Sequence, residues 1–137
     1  MESQGFVFHI QEKGQSGYDF FYHQTDPQEY CIGRDVRDTS FSTIQVQLQD
    51  KTVSRNHCRI FLNPDSKWMI EDLDSKNGTW VQENCNLSSE YKRVGKPIVI
   101  TADSVLKIGE TTIRLRLMSK VDRRSFNEDR YYEQISA

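Results

Sequence analysis

The sequence predicts an all-β fold, a sandwich of two packed sheets made from about ten short strands. Three observations carry this. Apolar and polar residues alternate in Ile44-Gln45-Val46-Gln47-Leu48 and again in Ile113-Arg114-Leu115-Arg116-Leu117, a period of two that buries one face of a strand. Turn-forming residues recur between such runs. Residues 6–117 hold no convincing amphipathic helix.

The elements follow in order. Phe6, Phe8 and Ile10 alternate with Val7 and His9 and open the first strand. Strands are expected next over Tyr18–Tyr22, Tyr30–Gly33, Ile44–Leu48, Cys58–Leu62 and Lys67–Leu73. The remaining ones are expected over Thr79–Gln82, Pro97–Ile100, Val105–Ile108 and Ile113–Leu117. These runs are rich in aromatic and β-branched residues, which suit a pleated, half-buried surface. Asn63-Pro64-Asp65-Ser66 reads as a hairpin turn, Asn77-Gly78 punctuates a second loop, and Gly109-Glu110 precedes the last strand. Trp68 and Trp80 read as core or loop-bracing aromatics. Residues 118–137 are dominated by charge and are expected to form a linker, a frayed end or a short helix. Arg123-Arg124-Ser125 in that tail resembles a basophilic kinase site, a match so short that a solvated linker is the simpler reading.

A chain of 137 residues suits one domain. With 18 Lys and Arg against 20 Asp and Glu, the formal charge is −2, so bulk binding to nucleic acid or to a membrane surface is not expected. Hydrophobic residues are 36% and charged residues 28%, which favours a thin two-layer core over a large helical one. No apolar run approaches the ~20 residues that span a bilayer. Cys31, Cys58 and Cys85 are odd in number and form no CxxC pair. This argues against a secreted disulfide scaffold and a structural zinc site, and favours an intracellular location, nuclear or cytoplasmic. His9, His23 and His57 lack ligand-like spacing, so no metal is expected.

Three loops are polar beyond what turns require. Gly33-Arg34-Asp35 closes one strand. Asp50 through His57 forms a second loop, and Asp72 through Thr79 a third. At the poles of a sandwich, loops distant in sequence meet. Together these supply the guanidinium groups of Arg34 and Arg55, the Ser54 hydroxyl, the Lys76 ammonium and the Asn77 amide. A donor-rich set without a nucleophile–base pair suits a phosphate dianion: arginine matches its oxygens bidentately and lysine acts as a point charge. Asn77 is suited to holding a peptide backbone, and Gly78 allows a tight turn beside it. Ser54, His57 and Asp72 or Asp74 can be drawn as a hydrolytic triad, but they lack a nucleophile elbow and an evident oxyanion hole, so no catalytic residue is assigned.

The order Ile32-Gly33-Arg34, then Thr52-Val53-Ser54-Arg55-Asn56-His57, then Asp72 through Trp80 resembles the forkhead-associated (FHA) family. The resemblance covers residues 6–117 and leaves 118–137 as a polar C-terminal tail. It implies a two-sheet antiparallel β-sandwich of about eleven strands that binds phosphothreonine in partner proteins during signalling, without catalysis or a cofactor. By position, Arg34 and Ser54 resemble the family's phosphate contacts, Arg55 a further phosphate or backbone contact, and Asn77 the residue that holds the peptide main chain. Gly33, His57 and Gly78 resemble structural supports, with His57 bracing the Ser54 loop. Lys76 stands where the family often has Thr or Ser, and Ala102-Asp103-Ser104 where Gly-Asp is usual. A long loop opens at Gln82 and runs to Gly95.

Two rival functions remain at this point. One is a phosphate-independent scaffold or dimerisation domain that uses the 82–97 loop, with Leu87, Tyr91 and Val94 as exposed apolar residues, or uses a sheet face. The other is nucleic-acid binding through the basic loops, disfavoured by the charge of −2. The monomer is the favoured state.

Overall fold

The structure, a computed structural model, describes residues 5–21, 28–36, 43–83 and 90–118. The expectations for Tyr22, His23, Cys85, Leu87 and residues 119–137 lie outside these. Eleven strands are present: β1 (Phe6–Gln11), β2 (Tyr18–Phe20), β3 (Glu29–Gly33), β4 (Thr43–Gln47), β5 (Cys58–Leu62), β6 (Trp68–Asp72), β7 (Thr79–Gln82), β8 (Lys92–Arg93), β9 (Ile98–Val99), β10 (Val105–Ile108) and β11 (Thr111–Leu117). One six-stranded sheet has the order β2-β1-β11-β10-β7-β8, and a five-stranded sheet has the order β4-β3-β5-β6-β9. The chain is therefore an all-β two-sheet sandwich. No helix among the described residues is long and apolar enough to cross a membrane.

Side-chain alternation fixes the register. Ile44 and Val46 of β4 are buried while Gln45 and Gln47 face out; Ile113 and Leu115 of β11 are buried while Arg114 and Arg116 face out. Phe6, Phe8, Tyr30 and Trp68 meet between the sheets, with the Phe8 and Tyr30 rings 4.8 Å apart and Phe6 and Trp68 5.1 Å apart. The Tyr30 hydroxyl accepts from the Phe6 amide at 2.9 Å, so the largest fully buried side chain ties one sheet to the other.

Pairings are antiparallel except one: β4 runs parallel to β3, with Glu29 opposite Thr43 and Gly33 opposite Gln47. Both strands thus end at the same pole of the sandwich. β5 starts from that pole, β6 ends there and β7 starts there, and the β10–β11 turn at Gly109 lies there too, as the antiparallel registers require. At the other pole the Met118 amide donates to the Gly5 carbonyl at 2.8 Å, extending the β1–β11 pairing beyond Leu117.

Residues 90–97 differ from the open loop read in the sequence. Lys92 and Arg93 form β8 against β7, pairing with Val81 and Trp80. Two exposed basic residues carry no period-two signal, so the strand is invisible to alternation. Val94, expected to be exposed, is buried, and its amide donates to the Thr79 carbonyl at 2.9 Å. The Asn63 turn forms: its side-chain oxygen accepts from the Asp65 and Lys67 amides at 3.0 and 2.9 Å. At Asp103 the backbone has φ +68°, a left-handed conformation that Asp tolerates without glycine.

Candidate functional site

The pole where β3, β4 and β6 end gathers the polar loops. The Arg34 amide donates to the Ser54 carbonyl at 3.0 Å, and the Asp35 amide to the Arg55 carbonyl at 3.1 Å. These bonds lay the residues after β3 directly on the 50–57 loop. Such closeness is possible because residue 33 has no side chain: a Cβ on Gly33 would lie 1.9 Å from the Arg55 carbonyl oxygen. Arg34 is exposed, and its Nε donates to the Val53 carbonyl at 3.1 Å. Among the described residues no carboxylate pairs with its guanidinium, and it makes no ion pair with Asp35, so its terminal nitrogens keep their donors.

Ser54 is held from three sides. Its amide donates to His57 Nδ1 at 3.0 Å, its carbonyl accepts from Arg34, and its Oγ accepts from the Lys76 amide at 2.9 Å. A hydroxyl that accepts one hydrogen bond still has its proton to give. The third loop is attached through the same contact, and again where Asn77 Nδ2 donates to the Thr52 carbonyl at 2.7 Å. Asn77 Oδ1 and the second amide hydrogen have no partner among the described residues. Arg55 and Lys76 are exposed, and their side-chain cations likewise meet no carboxylate within reach there.

His57 is fully buried, and its surroundings dictate its tautomer. Nδ1 faces an amide N–H and must accept; Nε2 lies 2.8 Å from the Gly78 carbonyl and must donate. The neutral Nε2–H ring therefore bridges two loops. Burial pushes its pKa below the usual histidine value, against the opposing influence of the Gly78 carbonyl, Asp72 and Asp50. Both ring nitrogens are engaged with backbone, so His57 cannot take a proton from Ser54 Oγ, and the drawn triad does not form. Gly78 adopts φ +83°, the region that favours glycine, and passes beneath Arg93 and Trp80.

Three acidic anchors escaped the sequence reading. Asp50 accepts from the Thr52 amide and hydroxyl at 2.9 and 2.6 Å with one oxygen. Its other oxygen accepts from the Glu110 amide and the Thr111 hydroxyl at 2.9 and 2.7 Å. The β4–β5 loop is thereby tied to the β10–β11 turn. Buried Glu12 accepts from the Gln49 and Asp50 amides at 2.7 and 2.9 Å. Asp72 accepts from the Ser75 hydroxyl and the Thr79 hydroxyl, both at 2.6 Å, and from the Ser75 amide at 3.0 Å. Burial raises the pKa of Asp50 and of Asp72, but these hydrogen bonds outweigh it and hold both below the usual carboxylate value. The signals were local: Asp50-Lys51-Thr52 and Asp72-Leu73-Asp74-Ser75 are side-chain-to-backbone turn patterns. With Asp50 and Asp72 consumed internally, the tip offers the donors Arg34, Ser54, Arg55, Lys76 and Asn77, beside the exposed Asp74.

The FHA domain family model matches residues 30–109, more than half of the chain. The chain belongs to the FHA domain family. Solved FHA domains share its fold. That of the CT664 protein from Chlamydia trachomatis is 24% identical with a TM-score of 0.60, over 83% of this chain and 98% of that one. The FHA domain of an Arabidopsis thaliana hypothetical protein is 22% identical with a TM-score of 0.60, over 85% of this chain and 88% of that one. A structure from work on phosphothreonine-dependent FHA domain interactions is 21% identical with a TM-score of 0.53, over 83% and 97% of the two chains. No curated protein matches the chain. In this FHA domain the family match spans the three site loops, from β3 to the β10–β11 turn, and excludes β1, β2 and β11.

Among the described residues no group of His, Cys, Asp and Glu could hold a metal ion. Cys31 and Cys58 are free, buried thiols, and burial pushes both pKa values up, away from reactivity.

Proposed function

We propose that this chain is a phosphothreonine-dependent protein-interaction module that binds phosphorylated segments of partner proteins. One observation carries the reading: at one tip the Arg34 amide bonds to the Ser54 carbonyl and the Lys76 amide to the Ser54 hydroxyl, and among the described residues no carboxylate lies within ion-pair distance of the Arg34 or Lys76 side chain. A doubly charged phosphate with three acceptor oxygens complements that set. In this reading Arg34 grips the phosphate with its terminal nitrogens, Ser54 donates its hydroxyl proton, and Arg55 and Lys76 add positive charge. Asn77 uses its free amide oxygen and hydrogen on the partner's main chain. The fold and a solved relative studied for phosphothreonine-dependent interactions support it. In this reading the module recognises the phosphate and leaves it intact, since both ring nitrogens of His57 are engaged with backbone and cannot activate Ser54. The binding unit spans 6–117, with 118–137 outside it, and works as a monomer.

Calorimetric titration of a phosphothreonine peptide, its phosphoserine counterpart and the unphosphorylated sequence tests this. Binding is expected for the first, weaker binding for the second and none for the third. Arg34→Ala removes charge-assisted hydrogen bonds worth ~1.5–3 kcal/mol and weakens binding at least tenfold. Equal affinity for phosphorylated and unphosphorylated peptides overturns the reading.

A further inference from the structure

The outer face of the six-stranded sheet carries a second feature that touches the tip. The registers put Thr112, Lys107, Trp80 and Arg93 in one cross-strand row. A cleft of about 330 Å³ opens along this row, lined by Asn77, Trp80, Tyr91, Lys107 and Gly109. Its floor is aromatic: Trp80 is half-buried, and Tyr91 is 37% exposed. Lys107 is the cation in its lining, and Arg93 in the same row lies over the Trp80 ring at 5.8 Å; among the described residues neither meets a carboxylate within ion-pair distance. Elsewhere on this face Arg114 does have one, Asp103 at 3.7 Å. Asn77 forms one wall, and Gly78 passes under the Arg93 guanidinium and the Trp80 indole. The cleft therefore continues directly from the tip.

We propose that this cleft is a second contact for the phosphorylated partner: a flanking segment carrying an acidic residue beside an aromatic one leaves Asn77 and lies across Trp80. The inference rests on the phosphopeptide reading and adds what the partner must carry besides its phosphate. The acidic residue pairs with Lys107 or Arg93, and the aromatic ring stacks on the Trp80 and Tyr91 faces. An acidic segment is favoured over a nucleic-acid strand because two cations, Lys107 and Arg93, on one face of a chain with net charge −2 make a local patch, too small for a phosphate track.

The test compares a short phosphothreonine peptide with the same peptide extended on either side by Asp-Phe, against wild type and the Lys107→Gln/Arg93→Gln double variant. One extended peptide is expected to bind wild type about fivefold more tightly than the short one, as one or two rim pairs allow. The double variant abolishes that gain while holding the short peptide within twofold. In ¹H–¹⁵N spectra the Trp80 indole resonance shifts only with the extended peptide. Equal affinities of short and extended peptides for wild type, or a stationary Trp80 resonance, overturn the cleft assignment and leave the tip reading standing. If the short peptide fails to bind wild type, the tip reading falls. The cleft is then judged by millimolar unphosphorylated Asp-Phe peptide, and a stationary Trp80 resonance overturns it. A thymidine octanucleotide that moves Trp80 at lower concentration than the extended peptide also overturns it.

Discussion

The amide of Lys76 donates to Ser54 Oγ across 2.9 Å, joining two loops that lie 22 residues apart in sequence. Ser54 Oγ is the acceptor in this bond, so the hydroxyl keeps its own proton to give. Ser54→Ala removes both functions. Phosphopeptide affinity is expected to fall at least tenfold, and hydrogen exchange at the Lys76 amide to quicken. Global stability falls by no more than about 0.5–1.5 kcal/mol, because that amide turns to water. Calorimetry, exchange and urea denaturation of one variant separate the three.

Gly33→Ala tests the close approach of β3 to the 50–57 loop. The new methyl group would occupy the place of the Arg55 carbonyl, 1.9 Å away, and the obstacle is backbone on both sides. Relief requires breaking the Arg34–Ser54 and Asp35–Arg55 bonds. A thermal midpoint lowered by roughly 5–15 °C is expected, with loss of peptide binding even where the variant remains folded.

His57 predicts a pH dependence of stability. Its folded pKa lies below the ordinary 6.5, so between the two values the unfolded chain binds more protons. The contribution is complete above about pH 6.5 and is lost as pH falls toward and through the folded value. Asp50 and Asp72, held below their ordinary 3.8, add a second decline as pH drops through the acid range. Urea denaturation from pH 7.5 to 4.5 should show the first loss in wild type. His57→Gln, which cannot titrate, should flatten it; an unchanged slope refutes the assignment.

Tyr30→Phe leaves the buried Phe6 amide without the hydroxyl that accepts from it at 2.9 Å. A cost of about 1–3 kcal/mol is expected in denaturant unfolding, with phosphopeptide affinity unchanged. Altered affinity would show that the core and the tip are coupled.

Much of the fold was legible in the sequence because burial on one face leaves a period of two, as in β4 and β11. β8 was not, since Lys92 and Arg93 are both exposed and pair with β7 through the backbone. Val94 misled for a related reason: the segment was read as a loop, and its burial depends on that pairing. The parallel β3–β4 arrangement leaves no trace in residue pattern, although it is what delivers Arg34 and the Ser54 loop to one end. The site's donors were visible as residue types that turns do not need. Asp50, Glu12 and Asp72 went unseen as anchors, because a carboxylate consumed by backbone amides looks in sequence like any surface acid.

The Met118–Gly5 bond has a practical side. β11 leaves the recognition tip at Thr111 and travels its full seven residues before reaching that bond, a run of about 20 Å at ~3.3 Å per residue. Residues 5 and 118 emerge side by side at the far end. A fluorescent protein fused at either one, or a tether to a sensor chip, would stand at the pole opposite Arg34 and Ser54, so immobilising the domain there leaves the proposed phosphate-binding loops uncovered.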